Sequence, residues 1–574
     1  MRNILKSVKW KRTQLIFLFI FISLSAVAQM LLPALLSKMI NFGVVVNEGQ
    51  AIGFYAFIMA IVTIMSCLMS FGSVKMASSI STYFAAQLRE KVFHTVQKFS
   101  AVELDQFGTA SLITRSTSDI TNVQNFLTLL LRIGLLAPMM AIAGLVFSAS
   151  TGGKVSIVLL FAIPVLLITL SLVTICASRY SVRLRHKLDH INHLFLETLE
   201  GVRVIRAFNK QEMECRKFES SNKDYAVTAM VSGRITSILM PAISVIFGVT
   251  TAAVLGLGSY YVELGAMEVG SLVANSQYIS MVLTSVMMLS MVIMMFPTSY
   301  ACAKRISEVL NTKSSIVDGD CHLEDRPLRS TVEFRNVTFV YPGANEPVLK
   351  DINFISKPGE ITAIIGGTGR GKSSLVKLIP RLYDPLFGEI FIDGINVKEY
   401  ALKDLRSLIG YVPQKNKLFS GSIGDNLNFG NENSNEDDWE KATKIACADE
   451  FVSKKKEKYH ALIAQGGTNL SGGQRQRIAI ARAIMKKPEI YIFDDSFSAL
   501  DMKTDRQLRQ NLKESMGDAT MIIVAQRISS IMDADRILVV DDGTIVGNGT
   551  HEELLKSCSL YREIAEIQLG KENL

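Results

Sequence analysis

The stretch ITAIIGGTGRGKSSLVKL, residues 361–378, decides the fold that this sequence predicts. Residues 361–365 are typical of a buried strand, and residues 374–378 are typical of a helix. Residues 366–373 between them fit the pattern G-x-x-x-x-G-K-S. In that pattern the glycines allow backbone N–H groups to close around a phosphate at the positive end of a helix. The order strand, loop, helix therefore predicts an α/β domain with a phosphate loop, rather than a glycine-rich turn that only opens a helix.

The side chains of this loop carry distinct predicted roles. Lys372 would neutralise the β and γ oxygens of a nucleotide. Ser373 would ligate Mg²⁺ through its hydroxyl group, because Mg²⁺ prefers oxygen ligands. The candidate phosphate-binding residues are Gly366, Gly367, Thr368, Gly369, Arg370, Gly371, Lys372, Ser373 and Ser374.

Further motifs lie on both sides of the phosphate loop. Taken alone, a tyrosine after a strand or a Pro-Gln turn would indicate only packing, so these motifs have meaning only as an ordered set. In chain order they are Tyr341 after a predicted strand over 332–339, YVPQ at 411–414, LSGGQ at 470–474, Asp494 after a predicted buried strand over 490–493, and SALD at 498–501.

This ordered set resembles the nucleotide-binding domain of an ATP-binding-cassette (ABC) transporter, and the resemblance implies ATP and Mg²⁺ as cofactors. It implies that Tyr341 stacks on the adenine, that Gln414 reaches Mg²⁺ and the attacking water, and that Asp494 supports the Mg²⁺. In this family the LSGGQ motif closes over ATP held by the phosphate loop of another subunit, so the chain is half of a dimer. The candidate residues in that motif are Ser471, Gly472, Gly473 and Gln474.

Two positions depart from the family pattern. Asp495 stands where the family has a catalytic glutamate, so its carboxylate is one methylene short. Gln526 stands where the family has a switch histidine, and a glutamine side chain cannot take a charge near neutral pH. A slower but working base is the alternative interpretation of Asp495 alone. His551 does not replace the histidine, because Thr550 and Glu553 around it form a capping-box pattern that opens a terminal helix.

An intact LSGGQ motif beside a degenerate Asp495 and Gln526 resembles one subunit of the bacterial heterodimeric ABC exporters that are often called multidrug exporters. The resemblance implies a homologous half-transporter as the partner, carrying the catalytic Glu and the switch His. This chain would bind ATP at a degenerate site, and its signature would complete the site at which the partner hydrolyses ATP. The whole would be an ATP-hydrolysing translocase.

The composition predicts a membrane part. The chain has 574 residues, is 49% hydrophobic and has a mean hydropathy of +0.27, which is too apolar for a soluble protein of this size. The net charge of +8 could suggest nucleic acid, but its basic residues cluster beside apolar segments, which indicates membrane flanks and no nucleic-acid partner. The seven cysteines include no C-x-x-C pair, so we expect reduced packing residues. The basic residues before the first apolar segment are Arg2, Lys6, Lys9, Lys11 and Arg12.

Six apolar stretches are long enough to cross a bilayer, which takes about 20 residues per helix. The loops 43–50 and 263–268 contain no Lys or Arg, whereas 75–115 and 179–223 are rich in them, so we expect both termini and the nucleotide-binding domain in the cytoplasm of a bacterial cell. The stretches are 13–42, 51–74, 127–150, 155–177, 235–262 and 269–297.

The predicted fold is therefore multidomain. An all-α transmembrane domain with six helices covers 1–312, a linker covers 313–330, and an α/β P-loop ATP-binding-cassette domain covers 331–574. Helical spacing continues through both charged segments, so the membrane helices would extend into the cytoplasm. In exporters of this family such extensions carry coupling helices, and 107–119 and 197–218 resemble them; two solvated helical hairpins are the alternative.

Several substrates fit the sequence. We expect a small amphipathic compound, with a lipid or peptide exporter, or a regulatory ATP-gated subunit, as alternatives. Arg132 lies inside an apolar segment, where it would contact an anionic substrate or lipid headgroup, snorkel, or pair with another helix. The sixth apolar segment is rich in methionine, which suits varied apolar ligands but also ordinary packing. Its methionines are Met281, Met287, Met288, Met291, Met294 and Met295.

Overall fold

The computed structural model describes residues 4, 8–323 and 330–570. The predicted basic residues Arg2 and Lys6, and the part 324–329 of the predicted linker, lie outside these residues. The described chain divides into two units. The first comprises the described residues up to Gln97 together with Thr109–Thr312, and the second comprises Lys98–Gly108 and the described residues from Lys313 onward. The short segment 98–108, which the sequence assigns to the first domain, thus belongs to the second unit.

The first unit is built of long helices, because its apolar stretches contain few residues that stop a helix. Two π-helical turns lie at Ile40–Val44 and Arg115–Asp119, and a 3₁₀ turn lies at Gly153–Ile157. The helices are α1 Arg12–Met39, α2 Gly49–Gln97, α4 Thr109–Thr114, α5 Ile120–Gly152, α6 Val158–Glu200, α7 Val202–Ala207, α8 Gln211–Ser237, α9 Leu239–Glu263 and α10 Val269–Asn311; α3 Ala101–Phe107 is in the second unit.

Within the described residues, five helical segments are long and apolar enough to cross a membrane. The third of them, Thr109–Glu200, has 92 residues and contains two of the predicted apolar stretches, 127–150 and 155–177. The 3₁₀ turn at Gly153–Ile157 follows the first of these stretches and overlaps the start of the second, and Gly153 there has a φ of 49°. The count of six membrane helices therefore stays a prediction. The other segments are Arg12–Val44, Gly49–Gln97, Gln211–Glu263 and Val269–Asn311.

Small residues allow α5 and α10 to approach closely. A Cβ added at Gly144 would stand 2.6 Å from the side chain of Val282, and Gly152 faces the carboxamide of Asn275. Ser148 donates a hydrogen bond of 2.6 Å to the Oδ1 atom of the fully buried Asn275. Close backbone approach and hydrogen bonds between helices are the interactions that hold membrane helices together, since lipid leaves little hydrophobic drive between them.

Ion pairs join the π-helical turn before α5 to the last part of α10. Asp119 is 2% exposed and accepts hydrogen bonds from Nε and Nη2 of Arg305 at 2.8 and 2.5 Å. Arg115 donates to the carbonyl oxygen of Arg305 at 2.8 Å and to Glu308 at 3.0 Å. The π-helical turn 115–119 is therefore fixed to the last part of α10 by two neighbouring ion pairs.

The strands of the second unit are β1 Val332–Phe339, β2 Leu349–Ser356, β3 Ile361–Ile365, β4 Phe387–Ile392, β5 Ile395–Asn396, β6 Ile409–Val412, β7 Gly421–Ser422, β8 Leu462–Ile463, β9 Ile490–Asp494, β10 Thr520–Val524, β11 Arg536–Asp541 and β12 Thr544–Gly549. Six of them form a mainly parallel sheet in the order β12-β11-β3-β10-β9-β6, in which only β12 is antiparallel. An antiparallel sheet has the order β2-β1-β4-β5, and β7 pairs with β8. The helices after β3 are α11 Lys372–Leu378, α12 Leu402–Ser407, α13 Ile423–Asn428, α14 Glu436–Ile445, α15 Asp449–Ser453, α16 Gly472–Met485, α17 Met502–Ser515, α18 His551–Ser557 and α19 Ser559–Leu569.

The parallel strands are buried on both faces, as expected for an α/β sheet covered by helices. All five residues of β9 and of β10 are buried. The sequence predictions of a strand over 361–365, of a strand ending at Asp494 and of a capping box before the helix at His551 are confirmed.

We expect Asp119→Ala to lower the free energy of unfolding by about 1–3 kcal/mol, because it removes the partner of a charged group and two hydrogen bonds. Glu308→Ala is the control, since Glu308 is 45% exposed and an exposed ion pair contributes about 0–1 kcal/mol. Thermal unfolding of the detergent-purified protein measures both. Equal unfolding temperatures for the two variants would contradict the role given to Asp119.

Candidate functional site

The phosphate loop leaves the carboxyl end of β3 and runs into α11, as the sequence predicts. Gly366 has a φ of 156° and faces the carbonyl oxygen of Val540, so a side chain here would collide with β11. Gly369 and Gly371 have φ values of 80° and 96°, which glycine adopts without strain. A Cβ at Gly371 would also stand 2.9 Å from the carbonyl oxygen of Val348. Glycine is therefore required at these positions by backbone geometry.

Lys372 is folded back onto its own loop. Its Nζ atom donates hydrogen bonds of 2.7 Å to the carbonyl oxygens of Gly366 and Gly367. Burial lowers the pKa of Lys372, although the neighbouring Asp495 and Asp494 act in the opposite direction. A buried ammonium group at the mouth of a phosphate loop gains by pairing with phosphate oxygens, which suits the predicted role.

Ser373 and Asp494 meet as a potential Mg²⁺ site. The Ser373 hydroxyl donates a hydrogen bond of 2.7 Å to Oδ1 of Asp494, which is 1% exposed. The Tyr411 hydroxyl donates to Oδ2 of the same carboxylate at 3.4 Å. Burial raises the pKa of Asp494, and a cation beside it would relieve that cost. A hydroxyl and a carboxylate are hard oxygen ligands of the kind that Mg²⁺ takes, so the donor set fits this cofactor.

Tyr341 lies beside the helix that follows the phosphate loop. Its hydroxyl group is 2.9 Å from the Oγ atom of Ser374. Its ring makes edge contacts with Phe339 and Tyr383, with ring centroids 4.8 and 5.3 Å apart. The stacking on adenine stays a prediction. The structure shows that two aromatic side chains pack against the Tyr341 ring.

Asp495 is the centre of a polar cluster. Its Oδ2 atom accepts hydrogen bonds from Nε2 of Gln526 at 2.8 Å and from Nε2 of Gln414 at 3.2 Å. Its backbone has a φ of 51° and is held by a hydrogen bond of 3.0 Å to the carbonyl oxygen of Val524. Strained residues of this kind concentrate at functional sites. The structure thus brings together the two predicted degenerate residues and the predicted Mg²⁺-reaching glutamine.

The LSGGQ motif forms a separate site at the start of α16. The Ser471 hydroxyl accepts from the backbone N–H of Gln474 at 3.2 Å, and the Gln474 side chain accepts from the Ser471 N–H at 3.0 Å. Gly472 and Gly473 face the loop at Ala499, with 3.1 Å from a Cβ at Gly473 to the Ala499 carbonyl oxygen. Among the hydrogen bonds of the described residues, none joins this motif to the phosphate loop. A role in closing another subunit's site therefore requires a second chain.

Three further residues support the site without having been assigned a role from sequence. Tyr411 reaches Asp494, and Gln476 donates a hydrogen bond of 3.3 Å to the Asp495 carbonyl oxygen. Ser496 is fully buried and bonds to the carbonyl oxygen of Val412 at 3.0 Å. The sequence signal for them is their place beside the motifs: Tyr411 lies in YVPQ, Gln476 follows LSGGQ, and Ser496 lies between Asp494 and SALD. His551 instead lies 2.7 Å from the Tyr561 hydroxyl, in the structural position predicted for it.

The family models, relatives and solved structure that match this chain agree with one another. Residues 15–287 match the ABC transporter transmembrane region, and residues 349–498 match the ABC transporter family. The chain is 37% identical over 549 residues to an uncharacterized ABC transporter ATP-binding protein of Mycobacterium tuberculosis, covering 95% of this chain and 94% of that protein. It is 30% identical over 498 residues to the ATP-dependent lipid A-core flippase of Syntrophus aciditrophicus, covering 87% and 82%. A solved structure of a bacterial Atm1-family ABC exporter with ATP bound shares the fold, with a TM-score of 0.79, 24% identity, and coverage of 96% and 97%.

We expect Gly371→Ala to weaken nucleotide binding by about tenfold or more, because a non-glycine residue at positive φ costs about 1–2 kcal/mol and the added Cβ meets Val348. Gly367→Ala is the matched control in the same loop. A Cβ there meets first the flexible side chain of Arg370, at 3.4 Å. Titration with a fluorescent ATP analogue measures both variants, and equal affinities would show that the loop geometry described above is not needed for binding.

Proposed function

This chain belongs to the ABC transporter family, and we propose that it is the degenerate-site half of a heterodimeric exporter. In this proposal the chain binds ATP and Mg²⁺ at its own phosphate loop without hydrolysing ATP at a useful rate. Its LSGGQ motif completes the hydrolytic site of a homologous half-transporter, which carries the catalytic Glu and the switch His. ATP hydrolysis at that second site drives transport.

The arrangement around Asp495 is the observation that carries the proposal. A general base must lie within hydrogen-bond reach of the water that attacks the γ-phosphate. Oδ2 of Asp495 already accepts hydrogen bonds from Gln526 and Gln414, so these two amides orient the carboxylate and occupy the lone pairs of one of its two oxygens. The shorter side chain of Asp495 also retracts the carboxylate, and a misplacement of about 1 Å can cost about 10²-fold in rate.

Gln526 adds a second defect. Its amide nitrogen donates to Asp495, and its backbone carbonyl oxygen accepts 2.8 Å from the side chain of Gln568. Because glutamine has no titratable proton near neutral pH, it cannot change charge while the phosphate is transferred. The pair Asp495 and Gln526 therefore favours prolonged ATP binding over turnover at this site.

The predicted topology belongs to the same proposal. Six membrane helices, with both termini and the nucleotide-binding domain in the cytoplasm of a bacterial cell, follow from the apolar stretches and the distribution of Lys and Arg. The domain bounds 1–312, 313–330 and 331–574 are part of it. The two units of the described chain support a membrane part and a nucleotide-binding part, with 98–108 contributed to the second.

An amphipathic compound is the proposed substrate. The relative from Syntrophus aciditrophicus is named a lipid A-core flippase, which supports an amphiphile rather than a small ion. Met291 and Met294 of α10 are 49% and 52% exposed in this chain, so they offer soft apolar contacts. Arg132 is exposed within its apolar segment, and the described residues give it no hydrogen-bond or ion-pair partner, which leaves it available to an anionic headgroup.

Restoring the family's groups tests the proposal directly. We expect Asp495→Glu combined with Gln526→His to raise hydrolysis at this site by about 10²-fold or more, which is the range of a positioned general base. The assay uses the purified pair with the partner's catalytic glutamate changed to glutamine, so that only this site can turn over. Each single substitution serves as a control. An unaltered site that already hydrolyses ATP as fast as the double variant would refute the degenerate-site proposal.

Two substitutions separate the two roles of this chain. Lys372→Ala should weaken ATP binding at the degenerate site and leave measurable hydrolysis. Gly472→Asp should place a carboxylate against the γ-phosphate at the partner's site, where only the absence of a side chain allows so close an approach, and nearly abolish ATPase activity. Steady-state ATPase of the assembled heterodimer measures both. Equal losses would mean that the sites are not asymmetric, and a greater loss for Lys372→Ala would reverse the assignment.

A further inference from the structure

A buried glutamate joins two distant parts of the chain within the second unit. Glu103, in α3, is 4% exposed. Its Oε2 atom accepts from the N–H and the hydroxyl of Ser100 at 2.8 and 2.6 Å. Its Oε1 atom accepts from the N–H of Ser315 at 3.0 Å, and the Ser315 hydroxyl is 3.0 Å from that of Ser100. We call the contacts of Ser100, Glu103 and Ser315 the linker latch.

The linker latch needs a full carboxylate. Two backbone N–H groups and one hydroxyl point at Glu103, and both of its oxygens are used as acceptors. Burial alone would raise the pKa of Glu103, but the hydrogen bonds from Ser100 and Ser315 lower it below its usual value. The group is therefore ionised at neutral pH and holds Ser100 through one oxygen and Ser315 through the other.

The segment that carries Glu103 is also anchored elsewhere in the second unit. Ala101 and Val102 pack against the core that contains Phe339. The hydroxyl of Tyr383 donates a hydrogen bond of 2.9 Å to Asp105. The ring of Tyr383 in turn contacts Tyr341 beside the phosphate loop.

The linker latch lies close in sequence to the points at which the chain passes from one unit to the other. The chain passes between the two units at 97–98, 108–109 and 312–313. Only three residues separate the end of α10 at Asn311 from Ser315. The linker latch therefore joins Ser315, just after the last of these three points, to segment 98–108, which lies between the first two.

We propose that Glu103 is a positioning residue of the transport cycle, which makes segment 98–108 and the start of the linker at Ser315 one rigid block. A displacement of α10 would then be transmitted to the nucleotide-binding unit through the linker and through segment 98–108 together. Without the latch, a flexible linker would absorb part of that displacement. This role requires only the family mechanism and would serve a homodimer as well as a heterodimer.

The substitution Glu103→Gln separates the role of Glu103 in the linker latch from its role in the helix cap with Ser100. An amide offers one acceptor oxygen, so Gln can keep the capping box with Ser100 or the bond to Ser315, but not both. Glu553→Gln is the matched control, because the capping box of Thr550 and Glu553 uses a single carboxylate oxygen, with 2.9 Å from the Thr550 N–H. We expect glutamine to replace glutamate there without loss, because its amide oxygen can accept the same hydrogen bond.

The measurement uses the assembled full-length transporter in lipid nanodiscs. We expect Glu103→Gln to lower vanadate trapping of a photoreactive ATP analogue by about tenfold, the effect of losing one charge-assisted hydrogen bond. Binding of a fluorescent ATP analogue and the unfolding temperature should match those of Glu553→Gln. Equal trapping in the two variants would overturn the proposal, and so would a parallel loss of trapping and unfolding temperature, which would indicate a purely structural glutamate.

A disulfide tests rigidity without relying on a loss of function. Ser100→Cys with Ser315→Cys, in a background free of the native cysteines, places two thiols where the hydroxyls are 3.0 Å apart. We expect the disulfide to form both without nucleotide and after vanadate trapping, and the oxidised protein to keep the ATPase activity of the reduced one. Formation in one state only, or inhibition that a reductant reverses, would show that the latch opens during the cycle and would refute the proposal.

Discussion

The parallel pairing of β3 with β10, and of β10 with β9, is the constraint on which the nucleotide site depends. In this register Val524 lies opposite Ile364 on one side and Asp494 on the other. The three strands therefore end at one edge of the sheet, where Gly366, Asp495 and the segment leading to Gln526 begin. Backbone hydrogen bonds of 3.1 Å from Ala525 to Ile364 and 3.0 Å from Asp495 to Val524 fix that edge. Everything that the site can do follows from which side chains occupy these strand ends.

Much of this arrangement could be predicted from sequence because it is local. The alternation of β1, the strand and loop at 361–373 and the capping box at Thr550 each depend on neighbouring residues, and the structure has them as expected. The hydrogen bonds of Asp495 could not be predicted, because Gln414 and Gln526 are brought to it by the sheet from 81 and 31 residues away. For the same reason no sequence pattern indicated that segment 98–108 belongs to the second unit, since its anchors Ser315 and Tyr383 are 212 and 278 residues distant from their partners.

The two units join separate segments of the chain by different interactions. In the first unit, small residues and the ion pair of Asp119 with Arg305 join α10 to α5 and the π-helical turn before it. In the second unit, Glu103 joins segment 98–108 to the linker that follows α10. A carboxylate with exclusively N–H and O–H donors around it is well suited to this, because it accepts several hydrogen bonds and is costly to leave unpaired. The degenerate site proposed above would add a functional asymmetry: ATP held without turnover would act as a structural element, while the LSGGQ motif would serve catalysis in another chain.

In the proposed mechanism, hydrolysis takes place at the site that this chain's Ser471 and Gly472 complete, and not at its own phosphate loop. The most direct measurement is to trap the assembled transporter with vanadate during turnover and to identify, by photolabelling each chain separately, which nucleotide is bound at which phosphate loop. We expect intact ATP on this chain and ADP with vanadate on its partner. ADP with vanadate on this chain, in an amount equal to or greater than that on the partner, would contradict it.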